Sequence, residues 1–556
     1  MQFTSSRLKH IPSPSPGSLL HGTATLISII LAVCLSLDAG QCEGQPKDDS
    51  VPNIIIILAD DLGFSDLGCY GSEILTPNLD VLAKGGLRFT QFYNAGRCCP
   101  SRASLMTGLY PHQAGLGHMM KDYRMPGYRG NLNKSCVTIA TLLDAAGYQT
   151  MMCGKWHLSR HFGSEGPKHN WPVARGFQKF YGTLHGGSYF DPPTRMRDTR
   201  FLRATGDYYY TDAISDQAGR FIEEAVRSDK PFFLYVSYTA PHFPLQARPE
   251  TIARYRGKYA AGWDTLRQQR HRRQVSMGIV QSNWPLTPRD SRVGPWETAP
   301  YRPWQQRRME VYAAQVDSMD RGIGRIMEKL RQVGAERNTL VMFLSDNGAN
   351  DEEIGPKLES PSVPEKSRYG QPVQVGNKPN FMPGGEDTFQ SYGIAWANAS
   401  NTPFRLYKRH VHEGGIATPL IVYWPSVIRE GGRLTNQQGH VIDLMATCLD
   451  VADTKYPKVF KGLPLTPAEG RSLVPIFRGE ERKPVPLFWE HEGHRAVRDG
   501  KWKLVCKFPG KWELYNMETD RTEMNDLVAQ YPKGVQYMID LYDAWAGRAN
   551  VQPWHN

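Results

Sequence analysis

The run NIIIIL at Asn53–Leu58 decides the fold prediction, because it is an almost unbroken stretch of branched aliphatic residues. Such a run is typical of a strand that is buried on both faces of a parallel sheet. FFLYVSY at Phe232–Tyr238 and TLVMFL at Thr339–Leu344 have the same character. Before the third run, apolar residues recur at helical spacing and predict a long amphipathic helix. Its apolar positions are Met309, Tyr312, Val316, Met319, Ile323, Ile326 and Leu330. This alternation predicts an α/β fold with a largely parallel sheet and helices on both faces.

Polar residues follow each of the three predicted strands. Asp60 and Asp61 end the first, His242 follows the second, and Asp346 and Asn347 follow the third. In parallel α/β sheets ligands bind beyond the carboxyl ends of the strands. A single acidic pair after a strand is more often a cap or a turn, but two such pairs favour a cation site. Carboxylate and amide oxygens suit calcium or magnesium better than a soft metal.

Length and composition limit the number of domains and the class of partner but do not identify the function. The chain has 556 residues, 40% of them hydrophobic, which is enough for one large core and a smaller second one. The formal net charge of +11 is spread along the chain. A sulfated polymer is one possible partner, and a basic enzyme without a polyanionic partner is the other reading. We do not expect a nucleic-acid partner. The basic cluster RQQRHRR at Arg267–Arg273 is predicted to be a solvated helix face.

The first 40 residues have the anatomy of a signal peptide. Arg7, Lys9 and His10 precede the apolar run LISIILAVCLSL at Leu26–Leu37, and small residues follow it. The run is too short to cross a bilayer comfortably, and no later segment approaches the length of a transmembrane helix. The sequence therefore predicts export to the periplasm or the extracellular space, without a membrane span.

The chain after the signal peptide is predicted to form two parts. Residues 51–465 would form the α/β catalytic domain, and residues 470–556 a small C-terminal α+β subdomain with an antiparallel sheet. The second part contains short alternating strands from about Leu487 and a helical tail at Gln530–Ala546. The segment Asn350–Ala397 is rich in Pro, Gly, Ser and charge, and we expect it to be a loop over the site.

The number and spacing of the cysteines indicate which residues carry the chemistry. Nine cysteines are too sparse and irregular for a disulfide scaffold or a zinc ribbon, and two of them, Cys98 and Cys99, are adjacent. The segment CCPSR at Cys98–Arg102, followed by ASLMTG, resembles the CxPSR signature of the type I sulfatases. In that family the first cysteine of the signature is oxidised to formylglycine.

The resemblance extends over nearly the whole mature chain and looks closest to bacterial arylsulfatases. It includes GYQTMMCGKWH at Gly147–His157, the DNG sequence at Asp346–Gly348 and NTPFRLYKRHVHEGG at Asn401–Gly415. It implies an alkaline-phosphatase-like fold and hydrolysis of sulfate monoesters, either aryl sulfates or sulfated carbohydrates. It also implies one calcium ion as cofactor and a maturation enzyme that converts Cys98 to formylglycine.

The resemblance implies a role for each site residue. Cys98, as formylglycine hydrate, would be the nucleophile, with Asp346 as base. Arg102 and Lys155 would hold the hydrate and the sulfate oxygens, and His157 would take the proton from the second hydroxyl. His242 and Lys408 would bind the sulfate and protonate the leaving alcohol or phenol. The implied calcium ligands are Asp60, Asp61, Cys98, Asp346 and Asn347.

Two departures from the family pattern leave the catalytic positions intact. Arg97 precedes the signature where an aliphatic or hydroxyl residue is commoner, and Cys153 stands where a smaller residue is usual. His112 and His118 flank a turn that contains glycine, and we expect both to be structural. His410 and His412 have a spacing that could bind a metal, but hydrogen bonding near Lys408 is the favoured reading.

Two other functions fit parts of the sequence. Phosphate or phosphonate monoesters resemble sulfate esters in shape, but a dianionic phosphate favours more positive charge or a second metal. A protein that binds sulfated glycans without turnover would keep Cys98 as a thiol. The intact set of partner residues argues against that second alternative.

Overall fold

The computed structural model describes residues 51–358 and 363–554, and the predicted signal peptide lies outside them. The strands in the described residues are β1 (Asn53–Asp60), β2 (Leu87–Tyr93), β3 (Gln149–Lys155), β4 (Lys179–Thr183), β5 (Arg195–Arg197), β6 (Arg200–Phe201), β7 (Phe232–Pro241), β8 (Thr339–Ser345), β9 (Gln374–Val375), β10 (Thr388–Phe389), β11 (Ala417–Tyr423), β12 (Arg433–Thr435), β13 (Gly439–His440), β14 (Val459–Phe460), β15 (Leu463–Pro464), β16 (Leu487–His491), β17 (His494–Asp499), β18 (Trp502–Cys506) and β19 (Trp512–Asn516).

The α-helices in the same residues are α1 (Pro77–Gly85), α2 (Cys98–Thr107), α3 (Ile139–Ala145), α4 (Tyr210–Ala225), α5 (Pro249–Ala253), α6 (Gly262–Ser276), α7 (Arg302–Gln332), α8 (Gly393–Ser400), α9 (Glu413–Ile416), α10 (Asp443–Val451), α11 (Val474–Phe477) and α12 (Pro532–Ala549). Short 3-10 helices lie at Gly68–Tyr70, Pro172–Arg175 and Trp296–Thr298.

One large mixed sheet forms the centre of the protein. Its strands run in the order β12-β2-β11-β8-β1-β7-β3-β4-β5-β6, with β13 also paired to β2. The central strands β8, β1, β7, β3 and β4 are parallel to their neighbours in this group, and β11 pairs antiparallel with both β8 and β2. The carboxyl ends of five strands therefore meet at one edge of the sheet, where a ligand site is expected.

The central strand β1 explains why both faces of the sheet are covered by helices. Ile55 and Ile57 pack into one apolar core together with residues of α1, α4 and α7. The alternate residues Ile54 and Ile56 pack into a second core together with residues of α2, α3 and α10. Because strand side chains alternate between faces, a continuous aliphatic run is required at this position. The predicted α/β fold, with a largely parallel sheet and a small C-terminal antiparallel sheet, is confirmed.

The three predicted strands and the long helix are found where the sequence places them. They are β1, β7, β8 and α7, and the seven apolar positions of the helix are all buried. The described part of Asn350–Ala397 carries two short strands, β9 and β10, and leads into α8. Its first residue reaches the site, because Asn350 Nδ2 donates to Asp61 Oδ2 over 2.9 Å.

The prediction of a solvated basic helix face at Arg267–Arg273 is wrong for two of its arginines, whereas Arg272 is exposed. Arg267 and Arg270 are buried in α6. The Arg270 guanidinium forms ion pairs with Asp66 at 2.6 Å and with Glu73 at 2.9 Å, and both carboxylates come from the loop after β1. Their charges compensate the cost of burying the arginine, and no pattern within the helix itself reveals them.

None of the helices in the described residues combines the length and the apolar character that a membrane crossing requires. The seven cysteines in those residues are all buried, and none forms a disulfide. They are Cys69, Cys98, Cys99, Cys136, Cys153, Cys448 and Cys506.

The C-terminal sheet β16-β17-β18-β19 is antiparallel and is joined to the main body by a buried ionic network. Lys503 Nζ in β18 lies 2.9 Å from Glu413 Oε1 in α9 and 2.8 Å from Glu523 Oε1. Arg521 Nε donates to Glu413 Oε2 over 2.9 Å. All four side chains are buried. Burial acts to raise the pKa of Glu413, but the charges of Lys503 and Arg521 outweigh it and lower the pKa to about 2.

We predict that Glu413→Gln destabilises the protein strongly at pH 7 and less at acidic pH. Loss of one member of a buried ion pair costs about 3–5 kcal/mol. The folded-state pKa lies below the ordinary 4.5. The carboxylate therefore contributes its full stability above pH 4.5 and loses it as the pH falls toward 2, by about 1.4 kcal/mol per pH unit.

Urea unfolding at pH 7 and pH 3.5 measures this difference between wild type and variant. The exposed Glu165→Gln is the matched control, and it should leave the midpoint unchanged at both pH values. A Glu413→Gln penalty of equal size at both pH values would contradict the assignment.

Candidate active site

Acidic, basic and imidazole side chains converge at the carboxyl edge of the parallel strands. Asp60 ends β1, Lys155 ends β3, and Asp346 directly follows β8. His157 lies two residues beyond β3, and His242 follows β7. Asp61 and His157 both have positive φ, 67° and 59°, so the chain turns sharply as it leaves β1 and β3. These turns keep the polar residues at the sheet edge.

One cluster of buried charges centres on Arg102, which projects from α2. Its Nε donates to Asp346 Oδ2 over 2.9 Å, and its Nη2 lies 2.8 Å from the same oxygen. The same Nη2 lies 3.5 Å from Asp60 Oδ2. Lys155 Nζ donates to that Asp60 oxygen over 2.5 Å. Four ionisable side chains, all at most 1% exposed, thus compensate one another.

A second cluster centres on Asp61. Lys408 Nζ lies 2.8 Å from Asp61 Oδ1 and 3.0 Å from Oδ2. Asn347 Nδ2 donates to Oδ1 over 2.7 Å, and His242 Nε2 lies 3.4 Å from Oδ2. The two clusters are joined, because the backbone N–H of Asp61 donates to Asp346 Oδ1 over 3.3 Å.

Cys98 is the first residue of α2 and is 1% exposed. The positive end of the helix dipole favours negative charge at this position. One ring nitrogen of His157 and the sulfurs of Cys98 and Cys99 lie within 4.8 Å of one another. The Cys99 thiol, as hydrogen-bond donor, lowers the pKa of Cys98 well below its usual value, helped by the Lys408 charge and opposed by burial. The position is therefore suited to a reactive group that carries negative charge.

Three further pKa shifts show how unequal the environments of these groups are. Burial, and after it the Asp60 carboxylate, raise the pKa of Asp346 well above its usual range. Burial opposes ionisation of Asp60 too, but the Lys155 charge outweighs it and holds the pKa of Asp60 well below its usual range. Burial, followed by the Lys155 charge, lowers the pKa of His157, so its imidazole is neutral at pH 7.

The donor set fits a hard divalent cation. Asp60 Oδ1 and Asn347 Oδ1 are buried and have no hydrogen-bond partner among the described residues. Asn347 Nδ2 is occupied by Asp61 and by the Gly348 carbonyl, at 2.7 and 2.8 Å, which fixes the opposite orientation of its oxygen. Two orphaned oxygens beside carboxylates match the ligands that calcium and magnesium prefer.

The structure brings together all ten residues that the sequence predicts for the site. They are Asp60, Asp61, Cys98, Arg102, Lys155, His157, His242, Asp346, Asn347 and Lys408. Every one of them is buried except His242, whose side chain is 14% exposed. The partially exposed histidine marks the side from which solvent reaches the cluster.

Three residues at the site were missed by sequence reasoning. Ser237 in β7 accepts a hydrogen bond from Arg102 Nη1 over 2.5 Å and donates to the Lys155 carbonyl over 2.8 Å. The His185 ring packs edge-on against His157 at 4.7 Å. The third is Asn350, which donates to Asp61. A serine within an otherwise apolar buried strand was a usable signal, whereas a lone histidine or asparagine in a loop was not.

Comparisons with known proteins agree with this geometry. Residues 52–454 match the Sulfatase family, and residues 404–540 match the N-sulphoglucosamine sulphohydrolase C-terminal family. The chain is 34% identical to an arylsulfatase of Klebsiella aerogenes, over 80% of this chain and 95% of that protein. It is 33% identical to an uncharacterized sulfatase of Schizosaccharomyces pombe, over 90% of this chain and 95% of the relative.

A solved structure shares the architecture as well. The crystal structure of Ps i-CgsB in complex with k-i-k-neocarrahexaose aligns with a TM-score of 0.65 and 26% identity, over 91% of this chain and 95% of that one. The family match spans most of the chain, and two relatives exceed 30% identity over nearly their whole length. The chain therefore belongs to the sulfatase family, as its CxPSR segment predicts, and it is a sulfuric ester hydrolase.

Proposed function

We propose that this sulfatase hydrolyses aryl sulfates and sulfated carbohydrates through a formylglycine made from Cys98 and with one bound calcium ion. The observation that carries the proposal is the surrounding of Cys98. It begins a helix, His157 lies beside it, and the adjacent thiol, followed by the positive charges of Lys408 and Lys155, lowers its pKa. A nucleophile in such surroundings can attack an anionic ester, because the nearby cations offset the charge that develops.

The modification explains how one residue can both bind and release sulfate. A serine that attacks sulfur leaves a sulfated enzyme that water must cleave. A formylglycine hydrate would supply one hydroxyl for attack and a second that expels sulfate. The sequence around Cys98 supports modification by a maturation enzyme, which is the partner that we propose besides the sulfate ester substrate.

The remaining side chains would stabilise negative charge or transfer protons. Arg102 and Lys155 would hold the hydrate and the sulfate oxygens. Asp346, whose pKa is raised, would accept the proton of the attacking hydroxyl, and the neutral His157 the proton of the second hydroxyl. His242 and Lys408 would bind the sulfate and protonate the leaving oxygen.

The proposed ligands of the calcium ion are Asp60, Asp61, Asp346, Asn347 and the group derived from Cys98. When bound, the ion would polarise the oxygen of that group and offset the negative charge of the sulfate. The orphaned oxygens of Asp60 and Asn347 support this assignment. Calcium is favoured over magnesium because it accepts several protein oxygens in flexible geometry, whereas magnesium retains more water.

We further propose export to the periplasm or the extracellular space, supported by the composition of residues 1–40. We also propose a division into a catalytic domain at residues 51–465 and a C-terminal subdomain at residues 470–556. The separate antiparallel sheet β16–β19 supports the second part. The substrate range is supported by the arylsulfatase relative and by the carbohydrate named for the solved structure.

We predict that Cys98→Ala abolishes hydrolysis of a chromogenic aryl sulfate, by on the order of 10⁴-fold or more, because the nucleophile is lost. In wild type made with a maturation enzyme, the Cys98 peptide should be about 18 Da lighter than the cysteine form, as expected for formylglycine. Peptide mass spectrometry and initial rates measure the two effects.

Cys99→Ala is the matched control, because it removes the adjacent buried thiol and leaves the proposed nucleophile. It should retain measurable turnover. Circular dichroism establishes that both variants fold. Turnover by a folded Cys98→Ala protein, or an unmodified thiol in an active wild type, would contradict the mechanism.

We predict that calcium stabilises the chelator-treated enzyme and restores its activity. An ion at about 100 times its dissociation constant contributes about 2.7 kcal/mol, which raises the melting temperature by about 2–3 °C for a protein of this size. Asp61→Asn should lose most of this response, because the variant lacks one ligand charge. Differential scanning fluorimetry against calcium and magnesium concentration measures the shift.

Asp207→Asn is the control for this experiment, since Asp207 is an exposed aspartate that pairs only with Arg248 among the described ion pairs. It should respond to calcium as wild type does. A wild type without a calcium response, or an undiminished response in Asp61→Asn, would argue against the ion site.

A further inference from the structure

Arg97, the residue immediately before Cys98, is held in place from the opposite end of the sequence. It is the N-cap residue of α2, and its side chain is 18% exposed. Its Nη1 forms an ion pair with Glu492 and lies 3.3 Å from His491 Nε2. His491 is the last residue of β16, and Glu492 lies in the tight turn between β16 and β17. The guanidinium of the residue that precedes the proposed nucleophile is thereby fixed in place.

The partner carboxylate is itself anchored. His118 Nε2 lies 2.9 Å from Glu492 Oε1. The His118 ring is nearly parallel to the His491 ring, with centroids 5.4 Å apart and 9° between planes, and its centroid lies 5.0 Å from the Trp554 ring. Burial opposes ionisation of Glu492, but the histidines and Arg97 outweigh it and hold its pKa well below the usual value. The contacts of His118 thus help to hold this carboxylate in place.

The arginine has hydrogen-bonding capacity that the protein does not use. Both contacts described above are made by Nη1. Its Nε is buried and has no hydrogen-bond partner among residues 51–358 and 363–554. Nε and Nη2 form the edge with which an arginine binds a carboxylate or a sulfate through two parallel hydrogen bonds. An unpaired donor on a side chain that Glu492 holds in place is therefore available to satisfy its hydrogen-bonding capacity on a bound oxyanion.

The chain segments that carry Arg97 and Lys408 lie against each other. The backbone N–H of Arg409, the residue after Lys408, donates to the carbonyl of Gly96, the residue before Arg97, over 2.7 Å. Two cations thus come from adjacent segments, and their mutual repulsion decreases when anionic groups bind near both of them.

We propose that Arg97 determines specificity by binding a second oxyanion, a carboxylate or a sulfate, on the alcohol part of the substrate. This oxyanion would lie beside the sulfate ester that is hydrolysed. The preferred substrates are then sulfate esters that carry at least two negative groups, as in multiply sulfated or uronate-containing sugars. The chain's formal net charge of +11 favours the approach of such polyanions. The inference rests on the proposed function and adds a substrate class to it.

The test uses two matched pairs of esters that differ by one further oxyanion. The first pair is 4-nitrophenyl sulfate and a ring-carboxylated 4-nitrophenyl sulfate. The second is glucosamine monosulfate and glucosamine disulfate, and the two pairs distinguish a carboxylate from a sulfate as the bound group. The kinetic constants kcat and KM are measured for wild type, Arg97→Ala, Arg97→Lys and a control, all matured and calcium-loaded.

The expected result is a change in preference. Arg97→Ala should lose about tenfold or more of kcat/KM on the doubly charged member relative to its singly charged partner, mainly through KM, in at least one pair. Arg97→Lys keeps a positive charge but lacks the fork of donors, so it should lose an intermediate part of the preference. Because the lysine can still form an ion pair with Glu492, this variant is expected to fold, and it provides the comparison if Arg97→Ala does not fold.

Arg129→Ala is the matched control, because Arg129 is a half-exposed arginine that likewise faces a carboxylate, Asp122, at 3.5 Å. It should leave both preferences unchanged. Equal loss on both members of each pair, in folded Arg97 variants, would overturn the inference and assign Arg97 a structural role. A wild type without preference for either doubly charged ester would overturn it as well. If matured wild type cleaves none of the four esters, the proposed function itself falls.

Discussion

The site depends on the mutual compensation of charges that have been removed from water. Asp60, Asp61 and Asp346 are buried together with Arg102 and Lys155, and Lys408 adds a third cation through Asp61. Buried carboxylates are tolerated only when they are paired and hydrogen-bonded. The contacts of 2.5–3.5 Å between these side chains meet that requirement for most of their oxygens. The exception among these carboxylate oxygens is Asp60 Oδ1, which has no partner in the described residues and is one of the oxygens proposed to bind a divalent cation.

The sheet makes this compensation possible because it sets the spacing between strand ends. Arg102 reaches both the Lys155 carbonyl and Ser237, which requires β3 and β7 to lie close together. Gly154 in β3 permits that approach, since a Cβ there would lie 1.8 Å from the Ser237 carbonyl oxygen. Its φ of +105° also favours glycine. Gly154, in the segment Gly147–His157, thus helps to position Arg102 of the CxPSR segment.

The C-terminal sheet is connected to the catalytic part at two separate places. The buried network of Glu413, Lys503 and Arg521 fixes the sheet to the segment that follows Lys408. The turn between β16 and β17 reaches Arg97, next to the proposed nucleophile. The first connection attaches the sheet through buried charges, whereas the second, through the proposed role of Arg97, would allow the C-terminal part to influence which substrates bind.

The amino-acid sequence by itself determined the elements whose signals are local. Aliphatic runs predicted β1, β7 and β8, periodicity predicted α7, and the residues after these strands predicted a cation site. The CxPSR segment and its companions indicated the family and all ten site residues. Only the tertiary structure decided the contacts between distant positions. Arg97 and His491 are 394 positions apart, Arg270 is buried by carboxylates from another loop, and His185 and Asn350 are single polar residues without a pattern. Hydrogen bonds and ion pairs of this kind depend on how strands and loops are brought together in space, and no local spacing of residues encodes them.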